Sequence, residues 1–134
     1  MSTDISIATR RSADVNKASS ILVVDDDPSI RSIVVEILAM EGYPVESAAN
    51  GAEALKIVEH KRPSLVLLDM RMPVLDGWGF AQALDQRAIK LRILVMTAAQ
   101  DARRWAEEIG AEGYLAKPFE LPELLDVVER TVRA

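Results

Sequence analysis

From Ser20 onward, short apolar runs alternate with longer stretches in which apolar residues recur every three or four positions. Ile21 to Val24, Leu65 to Leu68 and Ile93 to Met96 are unbroken apolar runs, partly β-branched, each closed by a polar residue. Runs this short, with no polar alternation, predict strands buried on both faces. Pro44 to Ala48 and Gly113 to Ala116 are weaker versions of the same signal.

Between them lie helical periods. Asp27-Pro28 sets an N-cap residue before a proline at the first helical position. Ile30, Ile33, Val34, Ile37 and Leu38 follow at i, i+3, i+4, i+7 and i+8, all predicted to face inward, and Gly42 stops the helix. Asn50 is placed to cap a second helix running to about His60, with Ala54, Leu55 and Val58 inward and Pro63 as its breaker. Asp76-Gly77 opens a third helix carrying Phe80, Ala81 and Leu84. Asp101 is expected to cap a short fourth helix with Ala102, Trp105, Ala106 and Ile109 on one face. The last helix puts Leu121, Leu124, Leu125 and Val128 on one side. Strict strand–helix alternation predicts an α/β fold: a five-stranded parallel sheet with helices on both faces and right-handed crossovers. Residues 1–19 are polar and without period, and read as a flexible N-terminal tail; residues 20–134 read as one domain.

The polar residues that close the strands carry the chemistry. In an open parallel sheet, ligands bind outside the carboxyl ends of the strands. Asp25, Asp26 and Asp27 follow the first strand, Asp69 the third, Thr97 the fourth and Lys117 the fifth. Asp27 is the helix cap, which leaves Asp25, Asp26 and Asp69 to share one pocket. Like charges at close range raise one another's pKa values, and a divalent cation removes that cost. An oxygen-only donor set suits Mg²⁺ or Mn²⁺. With an ammonium and a hydroxyl beside it, such a pocket is built to receive a phosphoryl group, and an aspartate can be its nucleophile.

Composition narrows the field. The chain has 134 residues, 49% hydrophobic and 28% charged, with a net charge of −5. That excess of acid argues against nucleic acid and anionic membrane as partners. There is no cysteine and a single histidine, His60, so thiol chemistry and multi-histidine metal sites are excluded. No apolar run approaches the roughly 20 residues of a membrane-spanning helix. Arg10-Arg11 could open an export signal, but the apolar run after it ends at Val24 against three aspartates. The expected location is the cytoplasm.

The runs Val23-Val24-Asp25-Asp26-Asp27-Pro28, Leu68-Asp69-Met70-Arg71-Met72-Pro73, Asp76-Gly77, Met96-Thr97-Ala98 and Tyr114-Leu115-Ala116-Lys117-Pro118-Phe119 resemble the receiver domain of two-component response regulators. The resemblance spans about residues 20–134. It implies a flavodoxin-like (βα)5 fold with strand order 2-1-3-4-5. It implies that Asp69 is the phosphoacceptor and that Asp26 and Asp69 hold the metal directly, with Asp25 acting through water and the backbone carbonyl of Arg71 as a further ligand. Lys117 would bind the phosphoryl oxygens and precede a cis peptide to Pro118. Thr97 would move to the phosphoryl group and Tyr114 would rotate inward behind it, remodelling the face of residues 101–128 that meets a downstream protein. The donor would be a histidine kinase, a phosphotransfer protein or a small acyl phosphate. The chain would then be a signalling domain rather than an enzyme, a monomer or weak dimer, standing alone or forming part of a longer regulator. At Arg71 the family's side chain varies and bears on phosphoryl lifetime.

Two other readings meet specific obstacles. A phosphohydrolase of the haloacid-dehalogenase type wants an acid two residues after its nucleophile, and that position is Arg71. A dinucleotide-binding domain needs a glycine-rich turn after the first strand, where this chain has Asp25-Asp26-Asp27-Pro28.

Overall fold

Successive side chains on a strand point to opposite faces of a sheet, so a strand apolar at every position must be covered on both. The computed structural model describes residues 19–98 and 100–133 and bears this out. The expected tail lies outside the described residues except for Ser19. Strands β1 (Ile21–Val24), β2 (Val45–Ala48), β3 (Leu65–Asp69), β4 (Ile93–Ala98) and β5 (Gly113–Lys117) alternate with helices α1 (Pro28–Met40), α2 (Gly51–His60), α3 (Gly77–Gln86), α4 (Ala102–Ile109) and α5 (Leu121–Arg133). All strand pairs are parallel, in the order β2-β1-β3-β4-β5. Among the described residues no helix is long and apolar enough to cross a membrane.

Alternate residues of one strand feed two cores. Ile21, Val23, Leu65, Leu67, Leu94 and Met96 pack beneath α1 and α5 against Val34, Leu38, Leu124 and Val128. Leu22, Val24, Val66, Leu68 and Val95 pack beneath α2, α3 and α4 against Ala54, Val58, Phe80, Leu84 and Trp105. Burial at about 25 cal/mol per Å² of apolar surface makes these two layers the main stabilising contribution.

Three helix starts form as expected. The Asp27 carboxylate accepts from Ser29 N–H at 2.9 Å and Ile30 N–H at 3.3 Å. Asn50 accepts from Glu53 N–H at 2.9 Å, and Glu53 in turn accepts from Ala49 N–H at 3.0 Å. Asp76 accepts from Gly79 N–H at 2.8 Å. Gly77 is required by contact: a Cβ there would lie 2.5 Å from the Met70 sulfur and 2.8 Å from its Cα.

Several expectations are corrected. Asp101 does not cap α4: its backbone is already helical (φ −112°, ψ −12°), and its carboxylate pairs with Arg104 at 2.8 Å. Capping needs an extended backbone that turns the side chain back over the first N–H groups. Ile33 is 55% exposed. It sits about 100° around the helix from Val34, beyond the edge of the stripe that meets the sheet. Leu121 is 47% exposed, in the first turn of α5. Ile33 and Leu121 both line an apolar groove with Ile30, Val34 and Phe119.

Candidate functional site

Parallel strands deliver all their carboxyl ends to one edge. Val24 is level with Leu68 in the β1–β3 register, so Asp25 and Asp69 emerge side by side. Asp69 is level with Met96, one residue before Thr97, and Ala98 is level with Lys117. The structure therefore brings together the carboxylates, hydroxyl and ammonium that the strand-end pattern singles out.

Within this edge, Asp25 is fully buried, Asp69 and Thr97 are buried, and Asp26 is exposed. Carboxylate oxygens of Asp25, Asp26 and Asp69 lie within 4.8 Å of one another. Asp25 is held from three directions. Its Oδ1 accepts from Asp27 N–H at 2.9 Å, its Oδ2 from Lys117 Nζ at 2.8 Å, and its carbonyl from Arg31 Nη1 at 2.7 Å. Lys117 Nζ stands 3.6 Å from Asp69 Oδ2, so the ammonium leans towards Asp25 while remaining within ion-pair reach of Asp69. The peptide between Lys117 and Pro118 is cis.

Burial pushes the Asp69 carboxyl up to about 7, and the charges of Asp25 and Asp26 push the same way. The Lys117 ammonium and a hydrogen bond from the Arg71 backbone act in the opposite sense. A single ammonium does not neutralise three gathered carboxylates, and the donor set is hard oxygen throughout. That is the environment a small divalent cation satisfies; the residues present fit Mg²⁺.

Thr97 is buried and level with Ala116. Tyr114 is level with Val95, two residues earlier on β4, and is 43% exposed. The two are thus offset along neighbouring strands rather than paired across them. The Arg71 guanidinium stacks over the Trp105 ring, 5.0 Å from its centroid. Trp105 packs edge-to-face on Trp78 at 4.8 Å, and Trp78 Nε1 donates to Glu108 at 2.9 Å. Arg31 is the site residue that sequence reasoning missed. On the sequence it is one more polar position of an amphipathic helix, and only the turn from β1 into α1 aims it at the Asp25 carbonyl.

The chain is similar to known proteins over most of its length. The response regulator receiver domain family matches residues 21–129. Sporulation initiation phosphotransferase F of Bacillus subtilis is 40% identical over 112 residues, covering 82% of this chain and 90% of that protein. The response regulator MprA of Mycobacterium sp. (strain KMS) is 44% identical over 107 residues, 78% of this chain and 46% of its own length. The chain spans under half the length of several other curated relatives that it matches. Among solved structures, the chemotaxis protein CheY4 of Vibrio cholerae superposes with a TM-score of 0.76 at 34% identity, covering 84% of this chain and 98% of that one. The receiver domain of NtrX from Brucella abortus gives 0.79 at 29% identity, over 86% and 99%. The sheet order, the strand-end acids and the family match over 21–129 agree: this chain belongs to the response regulator receiver domains, the phosphorylatable signalling modules of two-component systems.

Proposed function

We propose that Asp69 is the phosphoacceptor of this domain. The observation that carries this reading is a buried strand-end carboxylate, raised to about 7, with a lysine ammonium 3.6 Å away and two further carboxylates beside it. An Asp69 oxygen attacks phosphorus in line, the P–N bond to a donor histidine breaks, and the imidazole leaves; an acyl phosphate remains on Asp69. Lys117 swings its ammonium from Asp25 to the phosphoryl oxygens, and Thr97 turns its hydroxyl to them.

Asp25, Asp26, Asp69 and the backbone carbonyl of Arg71 are the groups that would hold Mg²⁺ (or Mn²⁺), Asp25 through water. The ion supplies charge neutralisation for the nucleophile and the transferred group. Burial of Asp25 and its fixed hydrogen bonds hold the acidic frame rigid, so little reorganisation accompanies transfer.

The donor in this reading is a histidine kinase or a phosphotransfer protein, with small acyl phosphates as substitutes. The apolar groove of about 430 Å³, lined by Ile30, Ile33, Phe119 and Leu121 and bordered by Lys117, supports a protein donor docking beside the acceptor. The downstream partner is assigned to residues 101–128, the working unit is a monomer or weak dimer, and the setting is the cytoplasm. Incubation with Mg²⁺ and acetyl phosphate should add one phosphate by intact mass, labile to hydroxylamine. Asp69→Asn should stay unlabelled; full labelling of that variant rejects the assignment.

A further inference from the structure

Arg71 follows Asp69 by two residues, and its backbone lies within hydrogen-bond reach of the Asp69 carboxylate. Arg71 is exposed, and the Asp69 carboxylate beside its backbone is one of three gathered within 4.8 Å of one another. Yet among the described residues no carboxylate lies within ion-pair distance of the guanidinium. It rests on the Trp105 ring instead. That ring is fixed in place: Trp105 is buried, packed against Trp78, and Trp78 is held by Glu108. Trp78 of α3 and Trp105 of α4 together form an aromatic shelf under the guanidinium.

We propose that Trp105 is a positioning residue: its ring parks the Arg71 guanidinium while Asp69 is bare, and phosphorylation of Asp69 draws the guanidinium off the ring and onto the phosphoryl oxygens. The inference rests on Asp69 being the acceptor. An acyl phosphate adds a doubly charged group with three acceptor oxygens at Asp69, two residues before Arg71. A guanidinium meets such oxygens with two parallel charge-assisted hydrogen bonds, a stronger contact than an aromatic face near the surface. The ring and the phosphoryl group therefore compete for one cation, and each weakens the other's hold on it by the same factor. When Asp69 is loaded, α4 loses its tether to the β3–α3 loop. This gives α4 a contact that depends on phosphorylation and is separate from any movement of Thr97.

Beryllofluoride with Mg²⁺ serves as a reversible phosphoryl mimic, titrated by NMR into the full chain. Trp105→Leu should bind it roughly two- to fivefold more tightly, the factor by which an aromatic face holds a cation at an exposed site. Arg71→Gln should bind it more weakly, and adding Trp105→Leu to Arg71→Gln should change nothing further. In the free wild type, the Arg71 Nε–Hε resonance should be shifted upfield by the indole, and saturation should move it downfield. In Trp105→Leu the upfield shift should be missing from the start. Should that variant not fold, Trp105→Phe keeps a weaker aromatic face and should shift the affinity in the same direction by less. An Arg71 resonance still under the ring in the saturated complex overturns the exchange. So does a Trp105 effect of equal size with and without Arg71, which would make the ring mere packing. Failure of the wild type to bind beryllofluoride instead rejects Asp69 as acceptor, and the exchange with it; the free-protein resonance then still reports whether the ring holds the cation.

Discussion

At the scale of single residues, Asp69 is costly to keep charged in the metal-free domain. Its carboxyl is raised from 3.8 to about 7 in the fold, so the folded state binds the proton more tightly than the unfolded chain does. Its contribution to stability is fully present below about pH 4 and is lost as pH rises through 7. Asp69→Asn removes that loss. The variant should exceed the metal-free wild type by about 0.5–2 kcal/mol above pH 7, with the gap closing towards pH 4. Urea melts at several pH values check this; a gap that does not change with pH would contradict it. On the proposed reading Mg²⁺ should work in the opposite direction, stabilising the wild type by about 1.4 kcal/mol at ten times its dissociation constant. Asp26→Asn should lose most of that increment. If Mg²⁺ raises the melting temperature of Asp26→Asn as much as that of wild type, Asp26 is not a ligand.

Among the elements, two aspartates at helix starts look alike in the sequence and differ in the fold. Asp76 is extended and its carboxylate accepts from Gly79 N–H at 2.8 Å, whereas Asp101 is helical and its carboxylate accepts from Arg104 instead of from a backbone N–H of the first turn. Asp76→Ala should cost about 1 kcal/mol. Asp101→Ala should cost less than half of that, since it breaks a partly exposed i,i+3 ion pair. Equal losses in chemical denaturation would show that Asp101 caps in solution after all. The β4–β5 pair carries the second test. Thr97 is buried and Tyr114 is 43% exposed two positions further back along the strands. Thr97→Ala should still take up phosphate but lose most of the amide-shift response over residues 101–128. A response identical to wild type would exclude Thr97 as the trigger. Such particulars mark what was legible beforehand. The three apolar strands were plain, because burial on both faces leaves no polar position to confuse the reading. The polar residues that close them are plain as well: Asp25, Asp69 and Thr97 each end an apolar run at the carboxyl edge of the sheet. Asp101 departs from the expected cap because capping depends on a backbone angle that residue type does not dictate. The Arg71–Trp105 stack was invisible because two residues 34 positions apart meet only when α4 packs beside the β3–α3 loop.

For the whole molecule, the fold works as a frame with one reactive edge. Two apolar layers hold five strands in a register that delivers Asp25, Asp69, Thr97 and Lys117 to the same rim. The stability of those layers offsets the repulsion gathered at the rim, a repulsion that a bound cation would relieve. The signalling role depends on which atom takes the phosphate. The direct measurement is to phosphorylate the chain with acetyl phosphate and Mg²⁺, reduce the acyl phosphate with borohydride, and read the peptides by mass spectrometry. Reduction converts a phosphorylated aspartate to homoserine and leaves unmodified aspartates unchanged. Homoserine at position 69, with Asp25 and Asp26 intact, is the predicted result; homoserine at 25 or 26, or none anywhere in a chain shown to have taken up phosphate, would contradict it.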